Sequence, residues 1–317
     1  MIGRVAAVTD PGRTRRHNED AYVIEPPLFA IADGMGGAQA GEVASGLATA
    51  ALKEADADGG GEQRIAALIQ EANRRVYDRS SSDPNTSGMG TTITVALVEG
   101  EYVSFGHVGD SRAYLIRDAR MEQLTEDHSL VNELLKTGKL SREEAETHPQ
   151  RSVITRALGT DPDVDVDTFR VRAENGDLFL LCSDGLTDMV SEESILDVVE
   201  RNRDDIDGAV RALVKEANRG GGQDNITVVA FEIAGQEAPL VHDGDTREQA
   251  LPPEDEKTLT EADAVPTVDT AVISVEEIQA EDKAIRRRHL RRRAAAWLVI
   301  LLLLAGVALL LYVRFVR

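Results

Sequence analysis

The stretch Asp177-Leu178-Phe179-Leu180-Leu181-Cys182-Ser183-Asp184-Gly185-Leu186 joins a short apolar run to a polar Ser-Asp-Gly turn. An apolar run bounded by turn residues is typical of a buried strand, so the sequence predicts a strand over Asp177–Cys182 with an aspartate just beyond its end. Cys182 is the only cysteine, and its apolar neighbours indicate a small buried strand residue rather than a nucleophile. Without a second cysteine no disulfide can form within the chain, as is typical of a domain in a reducing cytosol.

Similar runs on both sides of this stretch extend the pattern. Short segments rich in Val and Ile predict strands, and apolar residues at helical spacing predict helices. The predicted strands are Val5–Thr9, Phe29–Asp33, Thr91–Val98, Tyr102–Val108, Arg112–Ile116, Asp177–Cys182 and Ile226–Glu232. The predicted helices are Ala40–Glu54, Gln63–Ser80, Leu130–Thr137, Ser191–Glu200 and Asp205–Asn218. Because strands come in groups of two or three without regular strand–helix alternation, the sequence favours an α+β fold with helices outside mainly antiparallel sheets.

The composition permits a large core and argues against one class of partner. Of the 317 residues, 42% are hydrophobic and only 4% are aromatic, so the core is expected to rest on Val, Ile, Leu and Ala. The formal net charge of −21 argues against DNA or RNA as a partner, because nucleic-acid binding depends on neutralising phosphates with Lys and Arg. The surplus of carboxylates leaves some of them available as metal ligands.

The composition changes after residue 234. It divides a globular domain, residues 1–234, from a polar segment, residues 235–282, in which Pro, Glu, Asp, Thr and Ala dominate. Such a segment cannot bury enough apolar surface to offset its ordering entropy, so we expect a disordered linker. A plain spacer is favoured over a phosphorylated or partner-binding motif, for which the candidate residues are Thr258, Thr260, Thr267 and Thr270.

The end of the chain predicts a membrane anchor. Residues 283–293 are basic, residues 294–313 carry no charge, and residues 314–317 form a short tail. About 20 apolar helical residues span a hydrocarbon core of about 30 Å, and this segment lacks the polar stripe of a buried core helix. Seven Lys and Arg precede the span and two follow it, so we expect a single-pass cell-membrane protein with its globular domain in the cytoplasm. Beside a span, the basic run favours contact with anionic lipid over nucleic-acid binding.

Five short acidic motifs recur along the globular domain. They are Arg15-Arg16-His17-Asn18-Glu19-Asp20, Asp33-Gly34-Met35-Gly36-Gly37, Gly109-Asp110-Ser111-Arg112, Ser183-Asp184-Gly185-Leu186 and Gln223-Asp224-Asn225. Four of the aspartates lie at or near the edge of a predicted strand, and Asp20 opens one. Each motif alone is more often a structural turn or cap. Together they place carboxylates at sheet edges, and hard cations such as Mg²⁺ and Mn²⁺ bind carboxylate and carbonyl oxygens, so the sequence predicts an all-oxygen metal site.

In this order the motifs resemble those of the metal-dependent protein phosphatases of type 2C, the PPM family, over residues 3–233. The matching elements are Gly12-x-x-Arg15-x-x-Asn18-Glu19-Asp20, Ala32-Asp33-Gly34-Met35-Gly36-Gly37, Gly90-Thr91-Thr92, Gly106-His107-Val108-Gly109-Asp110-Ser111-Arg112, Thr125-Glu126-Asp127-His128-Ser129, Ala157-Leu158-Gly159, Cys182-Ser183-Asp184-Gly185-Leu186 and Gln223-Asp224-Asn225-Ile226-Thr227. The resemblance implies an αββα sandwich, two antiparallel sheets flanked by helices, with metals at one end. The residues alone indicate only the α+β fold with antiparallel sheets.

The resemblance also implies ligands for two Mn²⁺ or Mg²⁺ ions. Asp33 would bridge the ions and the backbone carbonyl of Gly34 would bind one of them, while Asp184 and Asp224 would hold the other. Two such cations can lower the pKa of a water between them and stabilise both the attacking and the leaving oxygen of a phosphomonoester. Hydrolysis by direct water attack then needs no covalent phosphoenzyme.

Further acidic positions have supporting roles by the same resemblance. Asp20 and Glu19 would contact the ions directly or through water, and Asn225 would lie beyond the metal ligands. Asp110 together with Asp184 would support a third, weaker ion of the kind found in bacterial members of the family. The implied cofactors are therefore two ions in each domain, with a third at Asp110.

The substrate side of the site is implied in the same way. Arg15, with Asp33 the other implied catalytic residue, would hold the substrate phosphate, and residues 127–148 resemble a mobile flap that influences substrate choice. Met35 stands where many eukaryotic members have a histidine linked to protonation of the leaving group. The proton donor is therefore unassigned, with water at the metal ions as the first choice and His17 as the second.

The resulting hypothesis is a metal-dependent phosphatase acting on phosphoserine and phosphothreonine in proteins. On its tether it is expected to oppose membrane Ser/Thr kinases, and it is expected to be a monomer. A rival hypothesis is a catalytically inactive, membrane-tethered module that binds phosphoproteins, but such proteins usually lose metal aspartates that this chain retains. A third hypothesis, a phosphatase for an anti-sigma-factor antagonist, usually goes with sensory or multi-span regions ahead of the catalytic part.

Overall fold

The computed structural model describes residues 1–36, 40–55, 59–141, 144–145 and 148–235. Nearly all of the linker predicted for residues 235–282 lies outside these residues, as do the basic segment, the transmembrane helix and the tail predicted for residues 283–317. Those four assignments therefore stay predictions. Within the described ranges, none of the helices has the length and apolar character that a bilayer crossing requires.

Two antiparallel sheets form the centre of the described part of the chain. Their strands are β1 (Ile2–Asp10), β2 (Asp20–Glu25), β3 (Leu28–Met35), β4 (Gly90–Thr91), β5 (Ile93–Glu99), β6 (Tyr102–Val108), β7 (Arg112–Arg117), β8 (Arg120–Gln123), β9 (Asp167–Arg172), β10 (Leu178–Cys182) and β11 (Ile226–Ile233). One sheet has the order β1-β11-β10-β7-β8, and the other has the order β2-β3-β5-β6-β9, with β4 paired to β3. Every strand pair is antiparallel, which confirms that part of the prediction.

The helices lie on the outside, and side-chain caps set the start of some of them. They are α1 (Ala40–Glu54), α2 (Gly61–Ser82), α3 (Leu130–Lys136), α4 (Asp184–Thr187), α5 (Glu192–Arg201) and α6 (Ile206–Gly220), with a 3-10 turn at Pro84–Thr86. The side chain of Ser191 accepts from the backbone N–H of Ser194, and that of Asp205 accepts from Gly208 N–H. The residues predicted to begin α5 and α6 are therefore their N-caps.

Strand β10 shows how the four layers stack. Leu178, Leu180 and Cys182 face α5 and α6, whereas Phe179 and Leu181 face the second sheet. Both faces of the strand are buried, which is why its sequence is a continuous apolar run rather than an alternating one. A third apolar layer packs α1 and α2 against the outer face of the second sheet. The order helix, sheet, sheet, helix confirms the αββα sandwich that the resemblance implied.

The core rests mainly on Val, Ile, Leu and Ala as predicted, but the layer between the sheets also contains a row of phenylalanines. The rings of Phe29 and Phe231 stack with their centroids 4.2 Å apart, and Phe179 lies 5.2 Å from Phe231. Phe105 continues the contact to Phe179 at 5.7 Å and to Phe169 at 5.1 Å. Five of the six phenylalanines of the chain therefore stand in one row. A low aromatic fraction did not reveal this, because composition says nothing about where the few rings meet.

The strands to which the sequence assigned no range are all outermost strands, and for β2 it indicated only the start at Asp20. β2, β8 and β9 end their sheets, and each leaves polar side chains on its open face. A strand with one face open to solvent has no continuous apolar run, so the sequence pattern that predicts a strand is weaker there. The prediction of one strand over Thr91–Val98 was also wrong in detail, because the ladder breaks at Thr92.

Candidate metal and phosphate site

The five predicted aspartates lie at one end of the sandwich. In antiparallel sheets the starts and ends of neighbouring strands alternate along each edge. Asp20 begins β2 directly opposite Asp33 near the end of β3. Asp110 follows the end of β6, Asp184 follows the end of β10, and Asp224 precedes the start of β11. Residues more than 200 positions apart in the sequence thereby reach the same rim.

The carboxylates are close enough to oppose one another's ionisation. Burial, followed by repulsion from Asp20, Asp184, Asp224 and Asp110, raises the pKa of Asp33 well above its ordinary value. Burial is also the largest cause of the raised pKa of Asp184, and repulsion from Asp110 and Asp224 comes next. An arrangement that raises carboxylate pKa values in this way is stabilised by any cation placed among the oxygens.

Three of these carboxylates each have one oxygen that no hydrogen bond satisfies. Asp20 Oδ1, Asp110 Oδ1 and Asp184 Oδ1 are buried and have no partner in the described part of the chain. A buried carboxylate oxygen left without a donor costs free energy, so native proteins satisfy it with a donor, water or an ion. Hard divalent cations bind oxygen ligands of this kind, and the residues present therefore fit a group of Mn²⁺ or Mg²⁺ ions.

The side chains are gathered but not yet arranged around one point. Among the described residues, no three His, Cys, Asp or Glu side chains are already arranged to hold a single ion. Asp224 illustrates why, because Arg15 Nη2 donates to its Oδ2 at 2.8 Å and the backbone N–H of Asn225 donates to its Oδ1 at 2.8 Å. Both oxygens of this predicted ligand have protein partners, so an ion must compete with Arg15 for Asp224.

Two hydroxyls orient Asp20. Ser183 Oγ donates to Asp20 Oδ2 at 2.9 Å, and Thr227 Oγ1 donates to the same oxygen at 2.6 Å. Both hydroxyls come from the sheet opposite to that of Asp20, so this carboxylate bridges the two sheets at the rim. The contacts leave Oδ1 as the free oxygen. Sequence reasoning assigned no role to Ser183 or Thr227, although both stand within the quoted motifs.

Two threonines fix the backbone of Asp33 where the strand ladder breaks. Thr91 Oγ1 donates to Asp33 O at 2.8 Å, and Thr92 N–H donates to the same carbonyl at 2.9 Å. Asp33 N–H donates to Thr92 Oγ1 at 3.0 Å. The irregular strand at Thr92 therefore holds the central aspartate from both its N–H and its C=O, a role that the Gly-Thr-Thr motif alone did not indicate.

Asn225 positions the loop that carries Arg15 and Glu19. Its Oδ1 accepts from Glu19 N–H at 2.8 Å, and its Nδ2 donates to the carbonyls of Pro11 and His17 at 3.1 and 3.0 Å. The side chain is buried, so these contacts are shielded from water. Asn225 thereby ties the loop of residues 11–19 to the start of β11.

Comparison with known proteins identifies the family. Residues 13–215 match the family model described as Protein phosphatase 2C. The chain belongs to the protein phosphatase 2C family. The serine/threonine phosphatase stp of Listeria welshimeri is 42% identical over 236 residues, which is 71% of this chain and 93% of that protein. The serine/threonine protein phosphatase PstP of Mycobacterium tuberculosis is 40% identical over 262 residues, 80% of this chain and 50% of that protein.

A solved structure of the protein phosphatase 2C family shares the fold. The crystal structure of the catalytic domain of PstP in complex with two manganese ions superposes with a TM-score of 0.68 at 38% sequence identity. The match covers 74% of this chain and 99% of that chain. The globular domain therefore corresponds to a phosphatase 2C catalytic domain.

Three further residues bear on the chemistry of this phosphatase 2C domain. Met35 is 7% exposed and packs on Ile154 and Ala157, so it contributes an apolar contact and no proton donor. His17 is exposed at the rim. Asp188, which sequence reasoning missed, adds a carboxylate that helps to raise the pKa of Asp184 and lies 3.6 Å from Arg151.

The raised pKa values predict how stability changes with pH in EDTA-treated protein. Burial raises the pKa of Asp20 to about 6, and burial with repulsion from Asp127 and Asp188 raises that of Asp110 to about 7. Such groups bind more protons folded than unfolded, so the free energy of unfolding falls as pH rises from about 5 through 7. We expect a lower Tm at about pH 8 than at about pH 6. The dependence should be shallower in Asp33→Asn, and a Tm that rises over this interval would contradict the like-charge cluster.

Proposed function

We propose that the chain is a metal-dependent protein serine/threonine phosphatase that hydrolyses phosphoserine and phosphothreonine by direct attack of water. The observation that carries the proposal is the set of buried, unpartnered oxygens on Asp20, Asp110 and Asp184 around the central Asp33. The named relatives, stp and PstP, are serine/threonine phosphatases, which supports the substrate class.

The residues of the rim have distinct tasks in this reaction. Asp33, Asp184 and Asp224 would hold two Mn²⁺ or Mg²⁺ ions with the Gly34 carbonyl, and Asp110 with Asp184 would take a third. Bound divalent cations lower the pKa of water and stabilise the attacking and leaving oxygens in phosphoryl transfer. The manganese complex of PstP supports two ions of this class.

Arg15 would bind the phosphoryl group. Its guanidinium already lies at the rim, where it pairs with Asp224 at 2.8 Å and is about three-tenths exposed. A planar guanidinium offers parallel N–H donors that match two phosphoryl oxygens. Turning from Asp224 to the substrate, Arg15 would hold the phosphoryl group while releasing an oxygen of Asp224 as a metal ligand.

Hydrolysis with and without metal tests the proposal. Purified protein should release phosphate from p-nitrophenyl phosphate and from a phosphothreonine peptide in Mn²⁺, and EDTA should abolish both reactions. Restoring Mn²⁺ in excess should restore both rates, which separates metal removal from denaturation. Undiminished hydrolysis in EDTA would contradict the mechanism. Absence of hydrolysis under all metals, with phosphopeptide binding retained, would favour the inactive binding module.

We further propose that residues 294–313 anchor the domain at the cell membrane, with the domain in the cytoplasm and residues 235–282 as its tether. The charge-free segment and the seven basic residues before it support this topology. A tether raises the effective concentration of a monomeric enzyme near membrane-bound substrates, among which Ser/Thr kinases are natural counterparts. Deleting residues 283–317 should move the protein to the soluble fraction and increase kinase phosphorylation in cells. Unchanged phosphorylation after this deletion would argue against the tether's role.

A further inference from the structure

A buried histidine clamps the turn that carries Asp110. The backbone N–H of His128 donates to Gly109 O at 2.7 Å, and the backbone N–H of Gly109 donates to His128 Nδ1 at 3.0 Å. Gly109 thus has both its N–H and its C=O bonded to one residue, 19 positions away in the sequence. The clamp fixes the peptide that leads directly into Asp110, whose carboxyl lies buried with Oδ1 unpartnered.

The contacts of the ring assign its tautomer. Because Nδ1 accepts from Gly109, the proton lies on Nε2, which can donate to Asp167 Oδ2 at 3.2 Å. Arg156 Nη1 donates to Asp167 Oδ1 at 2.6 Å and lies 3.0 Å from the same ring nitrogen. Burial, followed by repulsion from Arg156, lowers the pKa of His128 and keeps the ring neutral. A neutral ring is the form that accepts at Nδ1.

On its other face, the turn packs closely against Thr92. Gly109 has a φ of +115°, and a Cβ at this position would lie 2.5 Å from Thr92 Cβ. Thr92 Oγ1 also bonds to Ser111 Oγ at 2.9 Å, on the far side of Asp110. The turn is therefore held between Thr92, which fixes the backbone of Asp33, and His128.

His128 also belongs to the base of the segment that resembles a flap. Its carbonyl accepts from Thr155 N–H at 2.8 Å, and Leu130 N–H donates to Val153 O at 2.9 Å. Ser129 and Ile154 form a bridge between these bonds. Residues 128–130 thus pair with residues 153–155, which follow shortly after the segment, so His128 joins the base of the flap to the turn of Asp110.

We propose that His128 is a positioning residue that acts through Gly109 to hold the Asp110 carboxyl and to couple it to the flap base. The proposal rests on the proposed function, in which Asp110 serves metal-dependent hydrolysis. If His128 acts in this way, activity depends on the hydrogen-bond acceptor at the position of Nδ1 and not on the volume that the ring occupies.

Two replacements of His128 separate these roles in the full chain. Asparagine places an acceptor near the position of Nδ1, whereas glutamine places one near Nε2. We expect His128→Gln to lower kcat/KM for p-nitrophenyl phosphate about tenfold, the effect of one lost hydrogen bond, and His128→Asn to stay within about twofold of wild type. In an Asp110→Asn background, His128→Gln should add less than about a twofold further loss. Equal losses in both His128 variants, or a full tenfold loss without the Asp110 carboxylate, would overturn the proposal.

Hydrogen–deuterium exchange provides a readout that does not depend on activity. In EDTA-treated full chain, the peptide containing Gly109 should exchange faster in His128→Gln than in wild type or His128→Asn. Asp167→Ala, at a residue that is partly exposed and so tolerant of substitution, should also speed this exchange, because it frees the ring to adopt the other tautomer. Unchanged exchange in both His128→Gln and Asp167→Ala would refute the clamp even if the enzyme is active. Wild-type protein that is inactive in every metal would instead refute the proposed function, with the exchange result standing by itself.

Discussion

Replacing Asp33 by asparagine is expected to lower kcat by about a thousandfold or more, because several kcal/mol of transition-state stabilisation depend on the cations that this residue would hold. Asn has nearly the same size as Asp and keeps the backbone contacts to Thr91 and Thr92, so the loss is not one of packing. The same substitution should raise the Tm of EDTA-treated protein, because it removes the carboxylate that four others oppose. Activity and stability therefore move in opposite directions, which a general folding defect cannot produce.

Asp118→Asn is the matched control for this prediction. Asp118 is exposed in the turn between β7 and β8, at the end of the sandwich away from the rim, and its φ of 51° is one that asparagine adopts readily. The substitution removes the same charge and should change neither rate nor Tm measurably. If Asp33→Asn retained more than about a tenth of wild-type kcat, the central place of Asp33 in the mechanism would be wrong.

Gly34→Ala is expected to have the largest effect on folding. A Cβ on Gly34 would lie 2.1 Å from Gly41 O and 2.6 Å from Glu19 O, both backbone atoms that no rotamer change can move. The strand and helix α1 would have to separate, and we expect the free energy of unfolding to fall by about 3 kcal/mol or more. Chemical denaturation of the domain over residues 1–235, with hydrolysis measured in parallel, checks the prediction.

Gly46→Ala should have the opposite effect, in the helix α1 that Gly34 of strand β3 approaches. A Cβ on Gly46 meets no heavy atom within 4 Å, and the residue is exposed in the middle of α1. Alanine favours the helix over glycine, so the free energy of unfolding should rise by about 0.5–1 kcal/mol. A similar loss in both variants would mean that the helix tolerates no added methyl group, and the close approach of Gly34 to Gly41 would not be the cause.

The sequence indicated the acidic rim more fully than it indicated the strands. Asp110, Asp184 and Asp224 each stand in a short polar motif beside an apolar run, and a strand edge is a local feature that such a run predicts. The run of β10 is apolar throughout and that of β11 largely so, because both faces of these strands are covered. The outermost strands β2, β8 and β9 lack that coverage, and their sequences show no comparable signal.

The supporting contacts could not be predicted, because they join residues that only the fold brings together. Ser183 and Thr227 reach Asp20 from the opposite sheet, and His128 reaches Gly109 from the base of the flap. In the sequence each is one polar residue in a motif, with nothing to show which way its side chain points. The pairing of Arg15 with Asp224 was likewise unexpected, since the resemblance assigned one to phosphate and the other to metal.

Anomalous diffraction at the manganese edge, from crystals of residues 1–235 grown with Mn²⁺, tests directly whether the acidic rim is a divalent-cation site. We expect at least two ion peaks, with oxygens of Asp33, Asp184 and Asp224 within about 2.5 Å of them. We also expect that Arg15 no longer contacts Asp224 Oδ2. An electron-density map with Mn²⁺ in excess, no anomalous peak among the five aspartates and the Arg15–Asp224 pair intact would rule out a cation site at this rim.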